Sequence, residues 1–188
     1  KTFHAPLIGG TPGMALKAVA SSDADKVHAD WPGVKVMSAP GDLLDDPDID
    51  LVVIATPNDT HFPLAKAALE AGKHVVVDKS FTVTLSQARE LESLAKHCGR
   101  ILSVFHNRRW DSDFLTVSAL INEGQLGEVC YFESHFDRFR PQVRQRWREQ
   151  AGPGSGIWYD LAPHLLDQVV VLFGLQVSIT VDLAQLRP

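Results

Sequence analysis

Five apolar residues, 51–55, stand between polar neighbours. A short apolar run bounded this way predicts a central strand of a parallel sheet. Residues 74–80 read H-V-V-V-D-K-S. The three valines predict a second strand, at 75–77, lined on both faces. Residues 101–105 predict a third buried strand. Between the first two, residues 61–71 show helical spacing, with Leu64, Ala68 and Ala71 on one side and Gly72 as the stop. Thr84 and Gln87 stand three apart ahead of an apolar-periodic stretch, the capping-box pattern. That helix is predicted to run to Cys98 and close at Gly99. Strand, helix, strand, helix, strand over 51–105 implies right-handed parallel crossovers. The fold class is therefore α/β, with the second half of a Rossmann-like doubly wound parallel sheet.

The flanks are weaker. Residues 1–8 read as the end of a helix, closed by Gly9-Gly10 and a turn at 11–13. Short strands are expected at 14–20 and 34–37, around a weak helix at 24–30. Residues 40–50 form an acidic loop with one helical turn. After His106 the composition changes. A helix is expected at 111–121, a long strand at 128–137, a flexible loop at 152–156, an amphipathic helix at 160–173 and a strand at 177–183. The domain boundary falls near 106–111.

The chain has 188 residues, 45% of them hydrophobic, and a formal net charge of −5. That length supports one sizeable core, or one domain and part of a second. The acidic balance argues against a nucleic-acid partner, which usually meets a basic surface. No apolar run reaches membrane-spanning length, and residues 1–13 lack the apolar core of a signal peptide. Cys98 and Cys130 lie far apart and make no metal-binding spacing. They read as reduced, semi-buried residues of a cytoplasmic protein. The chain opens on Lys1 rather than methionine, so its start is expected upstream.

Two stretches carry candidate chemistry. Lys79 follows a predicted strand, and ligands of open α/β sheets bind beyond the carboxyl ends of the strands. The competing reading is a surface lysine at a strand end. Further on, Asp160, His164 and Asp167 share one helical face if Asp160 caps the helix and Pro163 lies in its first turn. A histidine oriented by a carboxylate suits removal of a hydroxyl proton. The competing reading is a capping aspartate and a core histidine. Arg138, Arg140, Arg144, Arg146 and Arg148 surround Trp147. They read either as a solvated face or as a grip on an anionic substrate or partner subunit, with Trp147 as an anchor. The stretch from His106 to Trp110 follows a buried strand and lies where substrate contacts are expected. Trp158 and Tyr159 either wall the pocket or pack in the core.

Three separated motifs together resemble the glucose–fructose oxidoreductase / inositol dehydrogenase (Gfo/Idh/MocA) family of NAD(P)-dependent dehydrogenases. They are Ala55-Thr56-Pro57-Asn58 with His61, Gly72-Lys73-His74-Val75 leading to Asp78-Lys79, and Gly156 followed by Asp160, His164 and Asp167. The resemblance implies a hydride-transferring enzyme acting on a sugar, polyol or related hydroxy compound, with NAD or NADP as cofactor. Lys79 would hold and polarise the reacting oxygen. Asp160 would hydrogen-bond the substrate, and His164 would take the hydroxyl proton. Thr56, Pro57 and Asn58 would lie along the cofactor with His61 flanking them, and Asp78 would sit beside the nicotinamide ribose.

The family usually has proline after the lysine, and this chain has Ser80. The family's opening strand and Gly-rich pyrophosphate loop have no counterpart ahead of Lys1. The large, mainly antiparallel sheet of its α+β second domain is expected only in part. Residues 1–108 would then be the dinucleotide-binding domain, and 109–188 part of a substrate and oligomerisation domain. Ser21 and Ser22 stand at the end of the second strand, where NAD enzymes place a carboxylate. That leans towards NADP, while Ser22 as a helix N-cap is the plain alternative. A small-molecule substrate and a homo-oligomer are expected, and neither nucleic acid, membrane nor metal. The alternatives are a non-catalytic cofactor-sensing protein of the same fold and an inactive fragment.

Overall fold

The computed structural model describes residues 3–137, 139 and 141–184. The chain divides into two compact units, Lys1–Val104 and Phe105–Pro188. Arg138 and Arg140 lie outside the described residues.

The first unit runs α1 (His4–Gly10), β1 (Ala18–Ala20), α2 (Ala24–His28), β2 (Lys35–Met37), α3 (Pro40–Asp45), β3 (Leu51–Ile54), α4 (Asn58–Glu70), β4 (His74–Asp78), α5 (Leu85–Cys98) and β5 (Leu102–Phe105). The strands form two sheets, β1-β2 and β3-β4-β5. Both β1–β2 and β3–β4 are parallel, with Val53 beside Val76 and Ile54 beside Val77. Parallel neighbours require a crossover, and α4 supplies it between β3 and β4.

One core cluster holds this unit. Ile54 of β3 and Val75 and Val77 of β4 meet Ala65, Ala68 and Leu69 of α4 and Leu91 and Ala95 of α5. The sequence pattern has both faces of β4 buried, but burial alternates along it. Val75 and Val77 are enclosed, while Val76 is half-buried. The helices α4 and α5 cover the Val75–Val77 face, and Val76 points to the other. On α4 the buried positions are Asn58, His61, Ala65, Ala68 and Leu69, and Ala71 is exposed. The apolar stripe is therefore rotated from the expected Leu64–Ala68–Ala71 line.

Helix ends follow their sequence signals. Thr84 Oγ1 accepts from the Gln87 N–H, and Gln87 Oε1 accepts from the Thr84 N–H. Gly72 and Gly99 take positive φ values of 75° and 62° after α4 and α5, a conformation glycine reaches without a Cβ clash. Lys73 is buried behind Gly72, and its Nζ donates to the Asp46 carbonyl at 2.7 Å.

The second unit holds a 3₁₀ turn (Asn107–Trp110), α6 (Ser112–Asn122), a second 3₁₀ turn (Trp147–Glu149) and α7 (Gly156–Phe173). The antiparallel sheet expected here is not formed among the described residues. Segments 128–137 and 177–183 alternate as strands do but lie without regular structure, with Val177, Ile179, Val181 and Leu183 exposed. Alternation prepares an apolar face, whereas a strand exists only through a hydrogen-bonded neighbour. Cys98 is half-buried and Cys130 is exposed rather than semi-buried; both are free thiols. No helix among the described residues is long and apolar enough to cross a membrane.

Candidate active site

In the first unit the candidate groups gather at the carboxyl ends of strands. Asp78 is the last residue of β4, and its Oδ1 accepts the Lys79 N–H at 2.9 Å. His4, the first residue of α1, brings Nε2 to 3.9 Å from Asp78 Oδ2. Burial alone would raise the Asp78 carboxyl. The facing imidazole, the Lys79 N–H and the Lys79 ammonium outweigh it and hold the group below the usual carboxylate range. Asp78 therefore adds stability above the ordinary carboxylate pKa, and that stability is lost as the pH falls through the lowered folded value. The Lys79–Ser80 peptide is cis, although Ser80 stands where the family usually has proline.

His61 ties the ends of β3 and β4 together. The ring is 0% exposed. Its Nδ1 lies 2.7 Å from the Ser80 carbonyl oxygen and its Nε2 2.9 Å from the Thr56 carbonyl oxygen. Carbonyl oxygens only accept, and a neutral imidazole carries one N–H, so the tautomer decides which of the two carbonyls receives it. His61 acts on the Thr56–Pro57–Asn58 loop from beneath, with no surface left to offer a ligand. His61→Ala is expected to lower the unfolding free energy of the full-length protein by about 3 kcal/mol, since it removes the ring from the buried Ser80 carbonyl and opens a cavity. Urea unfolding measures it, and a loss within error of zero would contradict the clamp.

The same loop starts α4. Pro57 is its N-cap residue, and Asn58, its first residue, is buried. The helix thus begins three residues before the expected 61, because the Thr56–Asp59 breaker is itself the helix start. The Thr56 hydroxyl lies 2.6 Å from the Thr60 hydroxyl, which donates to the Pro57 carbonyl. At the end of β1, Ser21 Oγ accepts the Asp23 N–H. Asp23, rather than Ser22, caps α2: its Oδ1 accepts the Lys26 N–H at 2.9 Å. Ser22 is exposed.

In the second unit α7 starts at Gly156 behind the N-cap Ser155. Asp160 is therefore inside the helix, not its cap, and Pro163 lies beyond the first turn. Asp160 and His164 still share a face, being four apart. Asp160 Oδ1 sits 3.4 Å from Arg148 Nε, and the Arg148 guanidinium lies over the Trp147 ring. Arg146 pairs with Glu149. Arg146 and Arg148 thus depart from a merely solvated face, while Arg144 is exposed. His164 is 6% exposed, with its ring edge-on to Phe136. Phe136 in turn receives the Arg108 guanidinium.

Asp167 does not orient His164. It forms a two-pronged pair with Arg109, at 2.7 Å to Nε and 2.6 Å to the terminal nitrogen. His106 Nδ1 approaches it at 3.7 Å, and the Arg109 guanidinium is held above its ordinary range by that hydrogen bond. Gln168 adds a donation to the Arg108 carbonyl. The first 3₁₀ turn is thus pinned to α7. Sequence reasoning placed this turn at a junction but missed the pairing, since Arg109 and Asp167 are remote in the chain. It also missed His4, which lay in an apparent helix end.

Parallel strands joined by helices, with charged and hydroxyl residues at their carboxyl ends, define a nucleotide-binding α/β protein. The strand ends that would receive a dinucleotide carry suitable groups: hydroxyls after β1 and β3 and a carboxylate–ammonium pair after β4. The chain belongs to the Gfo/Idh/MocA oxidoreductase family: residues 1–106 match its NAD-binding Rossmann fold and residues 118–188 its C-terminal alpha/beta domain. It is 78% identical over all of its length to the oxidoreductase YdgJ of Escherichia coli, covering 54% of that protein. It is 37% identical to the scyllo-inositol 2-dehydrogenase (NADP(+)) IolW of Bacillus subtilis, over 98% of this chain and 52% of IolW. Among solved structures, the YPO2259 oxidoreductase of Yersinia pestis superposes with a TM-score of 0.93 at 68% identity, covering 100% of this chain and 53% of that one. The chain spans about half the length of these relatives.

Proposed function

We propose that the protein is an NADP-preferring dehydrogenase that oxidises a hydroxyl of a polyol, sugar or related compound. Residues 1–108 serve the dinucleotide and 109–188 the substrate, with a homo-oligomer as the working form. The observation that carries this reading is the end of β4, where Asp78 holds the Lys79 backbone at the mouth of a buried parallel sheet.

A bound nicotinamide supplies the hydride chemistry, which belongs to the cofactor. The chain's own groups orient and move the proton. Lys79 places an ammonium against the reacting oxygen and stabilises the charge that grows there. His164 takes the hydroxyl proton, and Asp160 accepts a hydrogen bond from the substrate. Thr56, Pro57 and Asn58 line the cofactor, with His61 fixing their backbone, and Asp78 sits by the ribose.

Two observations support NADP. The carboxylate nearest the end of β1, Asp23, caps α2 through its Oδ1, and Ser21 and Ser22 themselves carry no charge to repel a 2′-phosphate. IolW is named for NADP(+). Fluorescence titration of the full-length protein is expected to give tighter binding of NADPH than of NADH. Ser22→Asp should weaken NADPH about tenfold through like-charge repulsion. Equal affinities in both forms would remove the preference. The activity itself is tested by following reduced nicotinamide with a panel of inositols and aldoses. Tight cofactor binding without turnover on any of them would favour the cofactor-sensing alternative.

A further inference from the structure

We propose that His4 is a positioning residue for Lys79, acting through Asp78. The inference rests on the reading of Lys79 as a catalytic group.

The Asp78 carboxylate has two oxygens with separate tasks. Oδ1 accepts the N–H of Lys79, and Oδ2 faces Nε2 of His4. The first contact sets the peptide from which the lysine side chain leaves β4. The second is a 3.9 Å approach, longer than a hydrogen bond, that favours the carboxylate orientation making the first. Both side chains are mostly shielded, His4 18% and Asp78 31% exposed, so water competes weakly for the carboxylate. The held-down Asp78 carboxyl agrees with an anion fixed between an imidazole and the Lys79 groups. α1 thereby reaches the strand end with a side chain rather than a backbone group. The pair is the same device as a base oriented by a second group, with the lysine in the place of the base.

Four variants of the full-length protein test this: His4→Leu, His4→Gln, Asp78→Asn and the His4→Leu/Asp78→Asn double variant. His4→Leu is expected to lower kcat about tenfold, within the range for residues in one network, while KM for the cofactor stays within about twofold. His4→Gln keeps a donor towards Oδ2 and should recover most of the rate. The double variant should be no slower than Asp78→Asn alone, because His4 acts only through that carboxylate.

A second readout does not depend on turnover. Reductive modification of lysines with pyridoxal phosphate and borohydride, mapped by peptide mass, should change several-fold at Lys79 in His4→Leu and stay constant at exposed Lys96. Additive rate losses, no rescue by glutamine, or unchanged Lys79 labelling would each overturn the inference. Should His4→Leu fail to fold, His4→Ala, alone and combined with Asp78→Asn, carries the same cycle. A Lys79→Met control separates the two claims. If that variant turns over normally, the catalytic reading fails. If it is dead and His4→Leu is unimpaired, only the inference fails.

Discussion

Lys79→Met in the full-length protein will lose about 10³-fold in kcat, the scale of removing one preorganised charge stabiliser, and will melt at the wild-type temperature. The two halves of that expectation come from different atoms. The contact that shapes the strand end uses the Lys79 backbone N–H and Asp78 Oδ1, and methionine keeps that N–H. The neighbouring fold is held by His61, Leu69, Val75, Val77 and Leu91, all fully buried and untouched by the change. Only the ammonium is lost, and with it the charge that the proposed mechanism sets against the reacting oxygen. Steady-state kinetics and a circular-dichroism melt measure both. A variant with near-normal kcat would end the assignment of Lys79. A variant that loses rate and folding together would make the lysine structural.

How far this site was legible in the sequence depended on whether its cause was local. The strands expected at 51–55 and 75–77 and the capping box at Thr84–Gln87 are set by adjacent residues; the strands formed at 51–54 and 74–78, each within one residue of its pattern, and the box formed as read. The starts of α4 and α7 were read late because Asn58 and Gly156 follow residues that look like turn formers. Proline fixes an extended backbone just before a helix as readily as it ends one.

The two strands expected after residue 127 failed for a different reason. Their alternation is real, but a ladder needs a partner that no local pattern supplies. His61 marks a third limit. Its family position suggested a place beside the cofactor loop, and nothing in the spacing disclosed that both ring nitrogens would be spent on the Thr56 and Ser80 carbonyls. The Arg109–Asp167 and His4–Asp78 pairs were invisible for the same reason, since they join residues far apart in the chain.

His164→Asn will cost about 10³-fold in kcat/KM, the middle of the range for a lost general base, and will flatten the acid limb of the pH–rate profile. A histidine accepts a proton only from its neutral form, so an enzyme that relies on it slows as the ring is protonated. Asparagine has no such transition and leaves no limb to titrate. The control is Asp167→Asn. If Asp167 oriented the base, as the shared helical face suggested, its loss would distort the same limb. Its carboxylate is instead taken by Arg109 through both oxygens, so this change should lower the melting temperature and leave the shape of the profile intact. Two variants three residues apart on one helix are thus expected to fail in different measurements. An Asp167→Asn profile that lost its acid limb would return Asp167 to the catalytic group. A His164→Asn profile that kept it would remove His164 as the base.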